Sequence, residues 1–126
     1  MAELLRVSAF LPAGRRLAVC EHVFVTAQGQ PLTRYRRALE RRHVFGAEIA
    51  AREMGFVPLR DALGLLALYA SEGSPKYDKA ATRWLARLAL ESDDLQLRDV
   101  QLAAAALQAL PVRPESALPV LTELSR

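Results

Sequence analysis

Between Leu59 and Ser71 the chain reads Leu-Arg-Asp-Ala-Leu-Gly-Leu-Leu-Ala-Leu-Tyr-Ala-Ser, and past Asp61 only Gly64 and Ser71 break the apolar run. These side chains cover nearly the whole circumference of a helix. A helix apolar on all sides belongs at the centre of a domain, with other helices packed around it. The spacing therefore predicts a buried central helix over about 59–71 and demands neighbours for it.

The neighbours follow from the same periodicity. A first helix is expected over about 32–42, with Pro31 suited to its first turn. A second, over 44–54, places Ala47, Ala50, Ala51 and Met54 at i, i+3, i+4 and i+7 and stops at Gly55. After the central helix, Ser74 reads as an N-cap and Pro75 as the first residue of a fourth, with Tyr77, Ala80, Ala81, Trp84, Leu85 and Leu88 on one face. A fifth is expected over 97–110, before Pro111, and a weaker sixth over 115–125, which Pro119 interrupts or delays. Alanine and leucine dominate the apolar residues, and both favour helix over sheet. The expected fold class is all-α, a compact array of five to six helices.

Leu59-Arg60-Asp61-Ala62 recurs as Leu97-Arg98-Asp99-Val100, 38 positions on. In that register Ala47 meets Leu85, Ala50 meets Leu88, Ala51 meets Ala89 and Glu53 meets Glu91. Each copy is a helix, a short connection and a helix opening on Leu-Arg-Asp, where the aspartate suits the positive end of the macrodipole. The period is near that of two-helix solenoid repeats. A HEAT-like array of two helix-pair repeats and an irregular bundle are the two arrangements it allows. Residues 1–30 read differently: apolar runs over 4–11 and 17–25 flank Pro12-Ala13-Gly14, and Gln28-Gly29-Gln30 leads into Pro31. They are read as an N-terminal arm, irregular or a β-hairpin, with a short helix over 2–10 equally allowed. Residues 31–126 form the helical domain.

A chain of 126 residues is one domain by size and can bury roughly two-thirds of its unfolded surface. The single Cys20 can form no internal disulfide and points to a reducing compartment. No run of about 18 uncharged apolar residues is present, which argues against a membrane span. Arg15-Arg16 before Leu17 to Cys20 is cut short by Glu21 and His22, so no targeting segment is expected and the cytoplasm is the expected location.

The net charge of +3 is mild, but its distribution is not even. Arg34, Arg37 and Arg41 share one helical face, and Lys76, Lys79, Arg83 and Arg87 share another. Such rows can neutralise phosphates with salt-dependent affinity, or they can simply be solvated helix faces. Arg34, Arg37, Arg41, Lys79, Arg83 and Arg87 are the candidate binding residues. Ala51-Arg52-Glu53-Met54-Gly55-Phe56 has the alanine-to-glycine spacing of a helix-turn-helix, yet Asp61 and Gly64 fall where that motif needs packed apolar residues. Cys20 and His22 are too few ligands for zinc, with His43 in another segment, and nothing nearby activates Cys20 as a nucleophile. Asp93-Asp94 are explained as capping residues at a helix junction, and no glycine-rich phosphate loop occurs. Trp84 and Tyr77 lie on an apolar stripe and read as core, with pocket lining as a second role.

Tyr35-Arg36-Arg37-Ala38-Leu39-Glu40-Arg41, Ala50 to Gly55, Leu59 to Leu63, Ala80 to Leu85 with Glu91, and the alanine-rich segment 103–110 form a moderately distinctive set. On these, the chain from Pro31 to about Leu124 resembles a group of short uncharacterised helical proteins of high-GC bacteria. The resemblance implies a helical fold and no particular activity. The expectation is a non-enzymatic interaction or scaffold domain with no cofactor, engaging a protein partner. Nucleic-acid or regulatory binding through the basic faces is the alternative.

Overall fold

The computed structural model describes residues 30–126. They form six helices, with no strand among the described residues: α1 Pro31–Glu40, α2 Val44–Met54, α3 Leu59–Glu72, α4 Tyr77–Glu91, α5 Leu97–Ala109 and α6 Pro114–Leu124. The expected N-terminal arm, Gln30 aside, lies outside the described residues. Consecutive helices pair as three hairpins, α1/α2, α3/α4 and α5/α6. The middle hairpin packs on both others, which do not meet.

The all-round apolar helix takes the central place its composition demands. α3 lies against α1, α2, α4 and α6, and only Arg60, Ser71 and Glu72 along it are exposed. The main core joins Leu63 and Leu66 of α3 to Trp84 and Leu88 of α4, Ala103 and Leu107 of α5, and Leu121 of α6. A smaller core of Tyr35, Ala38, Ala47 and Ala50 seals α1 against α2, and Leu65 of α3 packs on both. At Gly64 a Cβ would stand 2.5 Å from Leu39 Cδ1, so the missing side chain lets α1 close on α3.

Three buried aromatic donors fasten neighbouring helices through backbone carbonyls. Tyr35 Oη donates to Asp61 O at 2.7 Å, Trp84 Nε1 to Leu59 O at 2.9 Å, and Tyr77 Oη to Leu107 O at 2.6 Å. Each satisfies a polar atom that burial would otherwise strand. Burial accordingly pushes the Tyr35 and Tyr77 hydroxyls up to about 12.

Several local expectations are refined. α1 ends two residues early because Arg42 adopts a left-handed φ of 57°. Its N–H then bonds Leu39 O and that of His43 bonds Ala38 O, the pairing of a Schellman cap. Arg42 reaches Ser71 Oγ at 2.7 Å, an anchor that glycine would lack. α4 begins at Tyr77 because Ser74 and Pro75 open a turn first, closed by Tyr77 N–H on Ser74 O at 3.1 Å. α6 continues through Pro119, since burial of Ala117 and Leu121 outweighs the one lost backbone bond.

The 38-residue correspondence holds for helix starts, Leu59 and Leu97, but not for surroundings. Leu59 is 9% exposed and Leu97 76%. Asp99 completes a capping box by accepting Gln96 N–H at 2.9 Å. Pro58 precedes α3 and has no N–H to offer, so Asp61 instead takes Arg36 Nη2 at 3.0 Å.

Trp84 joins α4 to the central helix by packing and by hydrogen bond. Replacing Trp84 by Ala is expected to lower unfolding stability by about 3–5 kcal/mol, read from the denaturant midpoint at unchanged m-value.

Candidate functional site

α2 and α4 both lie on α3 but do not pack on each other. The gap between them is a cleft of about 200 Å³. Small side chains keep it open: Ala51 from α2, Ala62 from α3 and Ala80 from α4. Its floor is apolar and aromatic, formed by Leu65, Leu66 and Tyr69 of α3 with Tyr35 and Trp84 beneath them. Arg83 and Arg87 of α4 stand at its rim, and Val57 closes the α2 side.

Side chains bridge the two walls at both ends. At one end Lys76 Nζ meets Glu48 Oε2 at 2.8 Å, and the same oxygen accepts the Tyr69 hydroxyl. Lys76 first, and Tyr69 second, hold the Glu48 carboxyl below the usual glutamate range. Burial, then the Glu48 carboxylate, pushes the Tyr69 hydroxyl up. At the other end the Arg87 guanidinium carbon sits 4.8 Å from the centre of the Phe56 ring, a cation–π contact. Arg87 Nε donates to Glu91 at 2.7 Å, while its Nη2 is buried without an acceptor among the described residues.

The two basic rows are not brought together, since α1 does not pack on α4. On α1, Arg34 is paired with Glu53 at 2.6 Å, whereas Arg37 and Arg41 are exposed with no ion pair among the described residues. On α4, Lys79 and Arg83 are likewise exposed and without an ion pair among the described residues, and both border the hollow that continues from the cleft past Tyr69. Half of the sequence-derived candidates, Lys79, Arg83 and Arg87, thus share one site. Sequence reading missed Glu48, Phe56, Tyr35 and Tyr69. Tyr69 sits in the apolar run of α3, where nothing in the pattern separates a cleft floor from ordinary core. Tyr77 and Trp84 are core, as expected, and Trp84 also lines this cleft.

The helix-turn-helix reading finds no footing, because α3, its would-be recognition helix, is enclosed by four others. Cys20 and His22 lie outside the described residues. Among the described residues no three His, Cys, Asp or Glu side chains cluster as metal ligands, and no helix is long and apolar enough to cross a membrane. A larger hollow between α4 and α5, about 540 Å³, presents Asp78, Thr82 and Gln108 but no cationic group.

Because the folded state holds Glu48 below its ordinary value, it binds fewer protons there than the unfolded chain does. The resulting stabilisation is present above the usual glutamate range and is lost as pH falls through the depressed folded value. Glu48→Gln is therefore expected to lower the denaturant midpoint near neutrality. The gap from wild type should narrow as pH falls below the usual glutamate range, read by paired denaturant titrations.

No protein-family model, curated protein or solved structure matches this chain, so the chemistry of the cleft rests on its own residues.

Proposed function

We propose that this chain is a non-enzymatic interaction domain that docks a protein partner over the α2–α4 cleft. The observation that carries this reading is the convergence of an apolar, aromatic floor with the cationic rim of Arg83 and Arg87 at one opening. Interfaces gain most of their energy from a few desolvated apolar anchors encircled by polar groups, and this cleft offers that arrangement. Phe56, 63% exposed, extends the apolar surface at the Arg87 end of the cleft.

Nucleic-acid binding is the second reading, favoured by the unpaired state of Arg37 and Arg41 among the described residues. It is weakened by the separation of the α1 and α4 rows, which leaves no continuous cationic track.

Two measurements test the reading. Affinity capture with the wild-type chain should recover a partner protein that Ala80→Trp, which fills the cleft, fails to recover. The exposed substitution Arg83→Ala, which leaves the core untouched, should weaken the same capture. Fluorescence anisotropy with a DNA duplex and a single-stranded RNA across a salt series should show no steep salt-dependent binding. Steep binding lost in Arg37→Ala/Arg41→Ala would replace this reading with the nucleic-acid one.

A further inference from the structure

We infer that the partner segment is an acidic amphipathic helix that seats one bulky apolar side chain in the cleft and sets its carboxylates against Lys79, Arg83 and Arg87. The inference rests on the docking reading above and adds the chemistry of the occupant.

Size comes first. Pockets for whole small molecules span roughly 300–1,000 Å³, and about 200 Å³ falls below that range. The space suits a single large side chain delivered by a longer segment. Its lining of Leu65, Leu66 and the ring faces beneath selects an apolar one. The rings are recessed, with Tyr35 at 0%, Trp84 at 2% and Tyr69 at 7% exposure. Single-stranded nucleic acid binds by laying bases on accessible rings, so this floor favours an inserted side chain over a stacked base.

Charge comes second. Lys79, Arg83 and Arg87 follow one another at i, i+4 and i+8 along α4, so their Cα positions rise about 6 Å per step. Carboxylates at the same spacing on a second helix would lie opposite them, in the groove-docking mode that amphipathic helices use. Lys79 and Arg83 have no carboxylate partner among the described residues. Arg87 is paired with Glu91 through Nε, and its Nη2 is buried without an acceptor among the described residues. Of the acids beside the rim, Glu48 and Glu91 are engaged with Lys76 and Arg87, while Asp78 lines the hollow next to Lys79 with no ion pair among the described residues. Lys76, Lys79, Arg83 and Arg87 against Glu48, Asp78 and Glu91 leave the rim with one positive charge in surplus.

Residues 1–29 carry Arg6, Arg15 and Arg16 against Glu3 and Glu21, a net charge of +1, and so are not the strongly acidic segment inferred here. The complementary segment belongs to another protein.

The test is a selection from a displayed library of short random peptides on the full-length wild-type chain, followed by anisotropy with the enriched peptides. The expected binders place two or more Asp or Glu residues around a Leu, Phe or Met. Their affinity should fall with salt and drop about tenfold or more on Lys79→Glu/Arg83→Glu, two exposed positions whose reversal leaves the melting temperature near wild type. Enrichment of basic or uncharged peptides, affinity insensitive to that double reversal, or tighter binding of a single-stranded RNA would each overturn the inference. If the selected peptides are not acidic but are still displaced by Ala80→Trp, the docking reading stands and only the acidic chemistry fails. If cleft filling displaces nothing, both fail.

Discussion

Everything in this fold depends on enclosing α3. A helix with no polar side cannot be left against water, and the chain meets that demand by laying α1, α2, α4 and α6 around it. Apolar packing alone does not choose an angle or a register. Directional bonds do, and here they come from the two aromatic donors that meet backbone carbonyls in the first turn of α3. Tyr35 from α1 bonds Asp61 O and Trp84 from α4 bonds Leu59 O. Both carbonyls already serve the helix ladder, so the aromatic side chains use the second lone pair and fasten two helices to one end of the central one. Tyr77 extends the scheme outward by fastening α4 to Leu107 of α5.

The cleft is a consequence of that enclosure. Helices laid round one axis touch the centre before they touch each other, and α2 and α4 are held apart by their shared contact with α3. Alanines at positions 51, 62 and 80 then leave unfilled volume where larger residues would have closed the gap. The ends are bridged by polar and cation–π contacts rather than by core packing, with Glu48 holding both Lys76 and the Tyr69 hydroxyl, and Arg87 lying over Phe56. Side-chain bridges of this kind separate with less loss than a packed core does, which leaves the opening accessible to a docking segment.

The two Leu-Arg-Asp segments show how far a local motif reaches. Both open a helix, and both put an aspartate near its positive end. Beyond that they part. Asp99 caps its own helix because Gln96 can donate a backbone N–H, while Pro58 cannot and Asp61 turns to Arg36 of a different helix. Leu59 enters the core because α4 crosses over it, and Leu97 stays at the surface. Arg34 and Arg37 part in the same way. Neighbours on one basic face, they differ because Glu53 of α2 happens to stand beside only the first.

By itself the sequence determined the helical class, five of the six helix ends to within about two residues, and the central position of α3, because periodicity, proline and glycine act over a few residues and need no partner. It also marked Lys79, Arg83 and Arg87 as one face, since helical spacing alone aligns them. The early end of the first helix and the passage of α6 through Pro119 were set by tertiary contacts, Arg42 on Ser71 and the burial of Ala117 and Leu121, and the late start of α4 by the turn at Ser74. Only the tertiary structure decided that the α1 and α4 basic rows stay apart, that Tyr69 floors a cleft rather than a sealed core, and that Glu48 and Phe56 bridge its walls. Those outcomes depend on which side chains meet across separate helices, and a linear pattern holds no record of distances between elements.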